Sequence, residues 1–165
     1  MARVWLFGDS VDTDQILPGR YAPYMTSEAD LSKYPFIEAR PEFAEQVRVG
    51  DIIVAGRNFG CGSSREYAPR ALKVVGMAAI IAPSFARIFF RNALNLGLPL
   101  FECDLRSLLQ DGQHCTLDME HSSLICDGDG IALPAPPEWV HQVWAEGGII
   151  DYYVKHGRLP LEAHD

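Results

Sequence analysis

Three largely apolar runs, at residues 52–55, 77–82 and 98–103, alternate with two stretches of helical periodicity, and only the third of these runs contains a charged residue, Glu102. The first helical stretch covers residues 64–75 and the second covers residues 83–97. Strands that are apolar on both faces and separated by helices are typical of βαβ units, in which neighbouring strands run parallel with right-handed crossovers. The pattern therefore predicts a parallel sheet in the middle of the chain.

The chain before this sheet is less regular. Residues 4–7 predict a short first strand, and a turn-rich loop with three aspartates fills residues 8–20. We expect a loop with one short helix over residues 25–40 and a helix of one or two turns at residues 41–47. Loops of this length inside a compact domain are often functional.

The chain after the sheet predicts smaller elements. They are a short helix, two antiparallel strands and two final helices, at residues 104–110, 115–119, 124–126, 137–146 and 149–156. An Asp-Gly-Asp-Gly sequence at residues 127–130 is a turn signal. We expect a single α/β domain over residues 1–165, with a loose polar tail at residues 156–165.

Local signals set the expected ends of the two central helices. Ser63 and Glu66 have the spacing of a capping box, in which the serine hydroxyl and the glutamate carboxylate each satisfy a free backbone N–H. Ser84 is the expected N-cap of the second helix. Gly76 and Gly97 follow the two helices, where left-handed glycines commonly end a helix.

Composition narrows the class of function. The chain has 165 residues, 48% of them hydrophobic, which is enough for one domain with a substantial core. It carries 14 basic and 22 acidic side chains, and the net charge of −8 disfavours nucleic acid as a partner. No apolar run approaches the roughly 18 residues needed to cross a bilayer, so we expect no membrane partner and a cytoplasmic location.

Cysteines, histidines and aspartates do not show metal-ligand spacing. No two of the four cysteines are separated by only two residues, and the five histidines are scattered in the C-terminal third. Asp12 and Asp14 are spaced as at the start of a calcium loop, but the glycine and the closing glutamate of such a loop are missing. We expect no metal site on this chain and four free thiols, with Cys103 in the core and Cys61 as a small space-filling residue.

The glycine-rich stretch at residues 56–66 carries the strongest chemical signal. It places three glycines, two serines and Arg65 where a strand should meet a helix. Backbone N–H groups at such a junction stabilise negative charge by about 0.3–1 kcal/mol when exposed and by up to ~2 kcal/mol when partly buried. That charge is either a ligand carboxylate or a developing alkoxide on Ser63, and Arg65 can add a bidentate grip on a carboxylate.

Three other interpretations apply to the same stretch. A purely structural role, with a serine as helix cap and the glycines in turns, accounts for the spacing equally well. A phosphate-binding loop is disfavoured because the Gly-Lys-Ser/Thr end of a P-loop is missing and the glycines do not match the dinucleotide fingerprint. A hydrolase elbow requires Gly-x-Ser-x-Gly, and here no glycine closes the sequence after Ser63.

Three blocks of sequence closely resemble the small subunit of the aconitase superfamily. They are Asp-Thr-Asp-Gln-Ile-Leu-Pro-Gly-Arg-Tyr at residues 12–21, Gly-Arg-Asn-Phe-Gly-Cys-Gly-Ser-Ser-Arg-Glu at residues 56–66 and Ile-Ala-Pro-Ser-Phe-Ala-Arg-Ile-Phe at residues 81–89. The blocks occur in the order of that family, and the resemblance extends over residues 2–155. The nearest members act on isopropylmalate, and the small subunits of homoaconitase and 2,3-dimethylmalate dehydratase are related to them.

The resemblance implies a fold, a partner and a reaction. The fold is a swivelling β/β/α domain with a partly parallel sheet, which closes over a separate large subunit in a heterodimer or heterotetramer. The large subunit would carry three cysteines and a [4Fe–4S] cluster, with no cofactor on this chain. The implied reaction is the reversible dehydration and rehydration of a small hydroxy acid, namely the interconversion of 2- and 3-isopropylmalate in leucine biosynthesis, with the cluster as Lewis acid.

The resemblance also implies roles for individual residues. Ser63 matches the base that takes the proton next to the substrate carboxylate, while Ser64 and Arg65 match residues that hold a carboxylate. Supporting roles are expected for three further positions in or beside the matching motifs, which are Asp14, Gly62 and Arg87.

Substrate choice in the family depends on the loop after Arg20. Homoaconitase-like members place an arginine in that loop, where it pairs with the extra carboxylate of their substrate. Here the loop is Tyr21-Ala22-Pro23-Tyr24, without an arginine, and it suits an alkyl substituent because a charge facing that group would be desolvated without a partner. We expect Arg20 and these four residues to contact substrate. A larger aliphatic residue is common at Ala22-Pro23 in isopropylmalate enzymes, so dimethylmalate also stays open.

Two hypotheses of different classes follow from these patterns. The first is the small subunit of a hydro-lyase, active only with its large subunit, with isopropylmalate as substrate and dimethylmalate or a homoaconitase substrate as alternatives. The second is a non-catalytic ligand-binding domain that keeps the fold but has lost its partner. An aconitase-like large-subunit gene beside this one would favour the enzyme.

Overall fold

The computed structural model describes residues 1–160, and a seven-stranded mixed sheet runs through it. The strands are β1 (Ala2–Leu6), β2 (Ile52–Val54), β3 (Ala79–Ala82), β4 (Leu100–Glu102), β5 (His114–Asp118), β6 (Ser123–Cys126) and β7 (Asp129–Ala132). Their order across the sheet is β4-β3-β2-β1-β5-β6-β7. The strands β1 to β4 are parallel, and β5 to β7 form an antiparallel meander that joins the sheet beside β1.

Helices connect the strands in the way that the hydrophobic pattern predicts. They are α1 (Thr13–Ile16), α2 (Glu28–Leu31), α3 (Glu42–Gln46), α4 (Tyr67–Val74), α5 (Arg87–Asn95), α6 (Glu138–Glu146) and α7 (Ile149–His156), with a 3₁₀ helix at Gly19–Tyr24. The predicted parallel βαβ units are confirmed, because α4 connects β2 to β3 and α5 connects β3 to β4. The predicted α/β class is therefore also confirmed.

Both faces of the parallel strands are buried, as their continuous apolar runs predict. Ile53 and Ile80 are paired in register and contribute to one core, which includes residues of α4 and α5. Ile52 and Ile81 contribute to a second core on the opposite face, which includes β5 and β6. All four isoleucines are fully buried, and burial of each side chain contributes roughly 1.5–3 kcal/mol.

A buried carboxylate joins β1 to the start of β2. Asp51 is 4% exposed and accepts hydrogen bonds from the backbone N–H groups of Arg3 and Arg48 and from the indole N–H of Trp5, each at 3.0 Å. A buried carboxylate is tolerated where several donors replace the water that it loses. Asp51 thus fixes the end of the sheet that lies opposite the glycine-rich loop.

The predicted capping box is wrong, because α4 begins at Tyr67 and not directly after Ser63. Glu66 occupies the N-cap position without a side-chain cap hydrogen bond. The backbone carbonyl of Ser63 instead accepts a hydrogen bond from the hydroxyl of Thr13 at 2.9 Å. Contact with α1 thus holds Ser63 in a loop, and Pro69 lies in the first turn of the helix, where its missing N–H costs nothing.

The predicted N-cap of α5 is also wrong, while both predicted C-terminal glycines are confirmed. The N-cap residue of α5 is Ala86. The hydroxyl oxygen of Ser84 accepts a hydrogen bond from the backbone N–H of Asn58 at 2.9 Å, so that side chain supports the glycine-rich loop. Gly76 and Gly97 follow α4 and α5 with φ of +84° and +69°, which is the left-handed conformation that favours glycine.

Two predictions for the second half of the chain are wrong. Residues 104–110 form turns and not a helix: the backbone hydrogen bond within this stretch is a turn contact from Leu108 to Leu105, and the side chain of Asp104 accepts from the backbone N–H of Arg106 at 3.3 Å. The expectation of four free thiols fails because Cys115 and Cys126 form a disulfide. The two residues are directly opposite each other on β5 and β6, with a Cα–Cα distance of 4.4 Å, which is within disulfide reach.

Helix α7 is the last regular element before the predicted C-terminal tail. Helix α7 ends at His156, the chain bends at residues 157–158, and Pro160 is buried. The remainder of the predicted loose tail, residues 161–165, lies outside the described residues. Within residues 1–160, no helix is both long and apolar enough to cross a membrane.

Candidate active site

Two loops that follow parallel strands lie side by side at the carboxyl edge of the sheet. The loop after β1 and the loop after β2 exchange backbone hydrogen bonds, from Gly60 to Val11 at 2.7 Å and from Thr13 to Cys61 at 2.8 Å. The carboxyl edge of parallel strands is the usual position of a ligand site in open α/β sheets. The glycine-rich loop and the aspartate-rich loop, which are far apart in sequence, therefore form one surface.

Glycine is required at two positions of this surface. Gly60 and Gly62 have φ of +80° and +91°. A side chain at position 60 would place its Cβ within 2.5 Å of the Cβ of Phe89 on α5. The loop therefore packs directly on α5, and this close approach places Ser63 beside the first turn of that helix.

A cleft of about 190 Å³ lies between the glycine-rich loop and α5. Its lining residues are Thr13, Gly60, Gly62, Ser63, Ser64, Arg65, Ala86, Arg87, Ile88, Phe89 and Asn92. The structure thus brings Ser63, Ser64, Arg65 and Arg87 together with Gly62 in one cleft. Ser63, Ser64 and Arg87 are exposed on this chain, so the cleft is open on one side.

The helix end beside Ser63 belongs to α5 and not to α4. The first turn of α5 lines the cleft, and its N-cap residue Ala86 offers no side-chain acceptor to the free N–H groups of that turn. Such N–H groups carry partial positive charge. The groups beside Ser63 that can stabilise negative charge are therefore the first turn of α5 and the guanidinium of Arg87, and not the start of α4.

Arg65 is held from one side of the cleft by an ion pair. Its Nη1 lies 3.0 Å from Oδ1 of Asp14, and the same oxygen accepts a hydrogen bond from the backbone N–H of Gly19 at 3.1 Å. The side chain of Arg65 is 35% exposed, so it can still meet a ligand. Asp14 thus lies between the cleft arginine and the start of the 3₁₀ helix.

A second groove, of about 330 Å³, lies on the other side of Arg65. Its lining residues are Leu17, Gly19, Ala22, Met25, Arg65 and Tyr67. Apart from the guanidinium, the lining is apolar or aromatic. Arg65 is the residue that the groove and the cleft share.

Only Ala22 of the predicted substrate loop lines this groove. Tyr21 stacks on Tyr34 with a ring-centroid distance of 4.9 Å. Arg20 forms an ion pair with Glu38 and lies over the ring of Tyr21. The last two loop residues, Pro23 and Tyr24, are exposed. On this chain alone, therefore, four of the five predicted loop residues lie away from the groove.

Several lining residues were missed by sequence reasoning. Thr13 and Leu17 lie within the first sequence block that resembles the aconitase small subunits, and that position was the available signal. Met25, Tyr67 and Asn92 have no recognisable local motif. These three residues line the site because the 3₁₀ helix, α4 and α5 pack around it in the folded chain.

This chain does not assemble a metal-binding group within residues 1–160. Among these residues, no three histidine, cysteine, aspartate or glutamate side chains converge as ligands. The free cysteines of the described chain, Cys61 and Cys103, lie on different loops. The donor set therefore does not fit an iron–sulfur cluster held by this chain, since such clusters are typically bound by several cysteine thiolates.

Comparison with known proteins gives a consistent family. The model of the Aconitase C-terminal domain family matches residues 11–102. The 3-isopropylmalate dehydratase small subunit 1 of Deinococcus radiodurans is 53% identical over 163 residues, which cover 98% of this chain and 92% of that relative. The homoaconitase small subunit of Thermus thermophilus is also 53% identical, over 98% of this chain and 100% of that relative.

A solved structure agrees with the sequence comparison. The crystal structure of 3-isopropylmalate dehydratase from Methanocaldococcus jannaschii matches with a TM-score of 0.87 and 38% identity, over 94% of this chain and 93% of that chain. The family match at residues 11–102 includes every residue that lines the cleft. The chain therefore belongs to the aconitase C-terminal domain family.

Proposed function

We propose that this chain is the small subunit of a 3-isopropylmalate dehydratase, a hydro-lyase that interconverts 2- and 3-isopropylmalate. The observation that carries the proposal is the convergence of Ser63, Ser64, Arg65 and Arg87 in one cleft. These side chains provide a hydroxyl that can act as a base and two guanidiniums that can bind carboxylates. The names of the Deinococcus relative and of the solved neighbour support the same activity.

In this proposal Ser63 is the catalytic base. Arg65 and Ser64 bind a substrate carboxylate, which places the adjacent C–H bond beside the Ser63 oxygen. The deprotonated Ser63 takes that proton as the hydroxyl leaves the neighbouring carbon, and it returns the proton when water adds back to the double bond. The guanidinium of Arg87 and the first turn of α5 stabilise the negative charge on the Ser63 oxygen.

The proposal requires a large subunit, because the cleft contains a base and anion-binding groups but is open to solvent. A partner that covers the exposed Ser63, Ser64 and Arg87 would exclude water and so strengthen each charge interaction. A [4Fe–4S] cluster on that subunit would supply Lewis-acid assistance to the departing hydroxyl. We propose a heterodimer or heterotetramer of the two subunits as the active species.

The groove beside Arg65 favours an alkyl substituent. Its lining has one charged side chain, and in this proposal that guanidinium is occupied by Asp14 and by the substrate carboxylate in the cleft. Arg20, the arginine nearest to the loop in sequence, is paired with Glu38. A substituent that carries its own carboxylate would therefore enter the groove without a free cation, at the desolvation cost of an unpaired charge.

A second candidate is the small subunit of a homoaconitase. The Thermus relative with that name is as similar to this chain as the Deinococcus relative. Overall identity therefore does not separate the two substrates, and the chemistry of the groove is what favours isopropylmalate. The small subunit of a 2,3-dimethylmalate dehydratase is a further alternative, because the short side chain of Ala22 in the groove is compatible with that substrate as well.

Reconstitution tests this proposal. The chain is purified alone and together with the aconitase-like large subunit of the same organism, and hydration and dehydration are followed by the absorbance of the unsaturated acid. We expect no turnover with the chain alone and turnover of 3-isopropylmalate with the pair, at a kcat/KM above that for homocitrate-type tricarboxylates and 2,3-dimethylmalate. Better turnover of a tricarboxylate would select the homoaconitase candidate. Failure to bind or activate the large subunit would favour a non-catalytic ligand-binding domain.

A further inference from the structure

The backbone of Gly19 lies against the guanidinium of Arg65. A Cβ built on Gly19 would lie within 2.8 Å of Cζ and 2.9 Å of Nη2 of that arginine, and closer still to Nη1. These separations are shorter than any that a real side chain tolerates, so the guanidinium occupies the space that a side chain at position 19 would fill. Gly19 is also the first residue of the 3₁₀ helix that carries Ala22.

Backbone conformation does not explain glycine at this position. Gly19 is not among the residues with positive φ, so an alanine could adopt its backbone conformation. What an alanine could not do is leave Arg65 in place. Because the atoms met are the flexible end of a side chain that is 35% exposed, an alanine would displace the guanidinium rather than disrupt the fold. Glycine at position 19 thus matters for where the guanidinium lies and not for the turn itself.

Asp14 also helps to hold the Arg65 guanidinium in place. One carboxylate oxygen of Asp14 contacts both Nη1 of Arg65 and the backbone N–H of Gly19. The guanidinium is consequently fixed by an ion pair on one side and by the glycine backbone on another. Any shift at the start of the 3₁₀ helix changes both contacts together.

We propose that Gly19 and Asp14 are positioning residues, which set the direction of the Arg65 guanidinium and couple it to the 3₁₀ helix. Because of this coupling, a substituent in the groove beside Ala22 affects the position of Arg65. The same arginine binds the substrate carboxylate in the cleft. Binding of the alkyl group in the groove and binding of the carboxylate in the cleft are then coupled through Arg65. This inference rests on the proposed function, since it takes Arg65 as a carboxylate-binding residue.

The test is a double-mutant cycle in the reconstituted two-subunit enzyme, with 3-isopropylmalate as substrate. We expect Arg65→Ala to raise KM on the order of 10- to 100-fold, as for loss of hydrogen bonds to a charged group. We expect Gly19→Ala to raise KM by about tenfold with less change in kcat, and to have no further effect in the Arg65→Ala background. Gly130→Ala is the matched control, since nothing lies within 4 Å of a Cβ at Gly130 and its φ is ordinary.

Asp14→Asn provides a second variant that does not introduce a clash. An asparagine keeps an oxygen that can accept from the N–H of Gly19 but loses the charge that faces Arg65. We expect a several-fold increase in KM, again absent in the Arg65→Ala background, and an unchanged thermal midpoint of the isolated chain. If Gly19→Ala does not fold, this variant alone decides the inference.

The outcomes separate the inference from the proposed function. A wild-type KM in Arg65→Ala would overturn the carboxylate-binding role of Arg65 and with it the proposed site. A raised KM in Arg65→Ala with a wild-type KM in Gly19→Ala and Asp14→Asn would overturn only the positioning role. Equal effects of Gly19→Ala with and without Arg65 would also overturn it, because the glycine would then act through another contact.

Discussion

The groove beside Arg65 makes a sharp prediction for substrate preference. Replacement of Ala22 by arginine adds a guanidinium to a lining in which Arg65 is the charged residue, and Ala22 is exposed enough to admit the longer side chain. We expect Ala22→Arg to move the preference from an alkylmalate toward a homocitrate-type tricarboxylate. The new cation would pair with the extra carboxylate of the tricarboxylate and would face the isopropyl group without a partner.

The size of the shift follows from two contributions. Full burial of the three carbons of an isopropyl group is worth about 2 kcal/mol, and an open groove recovers about half of it. A hydrogen bond to a charged group is worth about 1.5–3 kcal/mol, which repulsion from Arg65 and residual solvent reduce to about 1–2 kcal/mol. Together they change the ratio of the two kcat/KM values by about 2–3 kcal/mol, or roughly 30- to 150-fold.

The assay compares kcat/KM for 3-isopropylmalate and for a homocitrate-type tricarboxylate in the reconstituted enzyme. Ala29→Arg is the matched control, because it makes the same substitution on exposed α2, outside the groove. A ratio that stays within threefold of wild type in Ala22→Arg would refute the assignment of the groove. A wild-type enzyme that already prefers the tricarboxylate would refute it as well.

Two further predictions concern stability and pH. Cys115→Ala should lower the free energy of unfolding by about 3 kcal/mol in urea titrations, because the disulfide with Cys126 closes a loop in the unfolded chain. Cys103→Ala, which removes a free thiol, is the control. Four reactive thiols in the unreduced, denatured protein would contradict the disulfide. Burial raises the pKa of Asp111, but hydrogen bonds and charge from Arg40 outweigh it and leave that pKa below its ordinary value. A carboxylate with a depressed pKa stabilises the fold above about pH 4, and this stabilisation is lost as the pH falls through that pKa. Wild type should therefore be more stable than Asp111→Asn by under about 1 kcal/mol at pH 7, and this difference should vanish between pH 4 and pH 2 in acid titrations. A difference in stability that persists at pH 2 would contradict the ion pair.

The parallel part of the sheet was predictable because its signals are local. Continuous apolar runs gave β2 and β3, and the left-handed glycines Gly76 and Gly97 marked the helix ends. The N-terminal ends of the helices were not predictable in the same way. Ser63 has the sequence of a cap, but a long-range hydrogen bond from Thr13 holds it outside α4, and no pattern within the helix reveals that contact.

Long-range pairing also decided the other errors. The Cys115–Cys126 disulfide depends on the register of β5 and β6, which places the two residues opposite each other. The candidate cleft was anticipated at Ser63, Ser64 and Arg65, both from the glycine-rich stretch between a strand and a helix and from the resemblance. The contact between Gly19 and Arg65 was not, because it depends on how a loop that follows one strand packs against a loop that follows another.

The central claim of this account is that Ser63 acts as the base in a site that this chain completes with its large subunit. The most direct test is kcat at saturating 3-isopropylmalate for the reconstituted enzyme with Ser63→Ala, compared with wild type. Loss of a general base costs on the order of 10²- to 10⁴-fold, so we expect kcat to fall by that factor. The isolated variant should keep the wild-type thermal midpoint, and its affinity for the large subunit should be unchanged. A kcat within threefold of wild type would contradict the account.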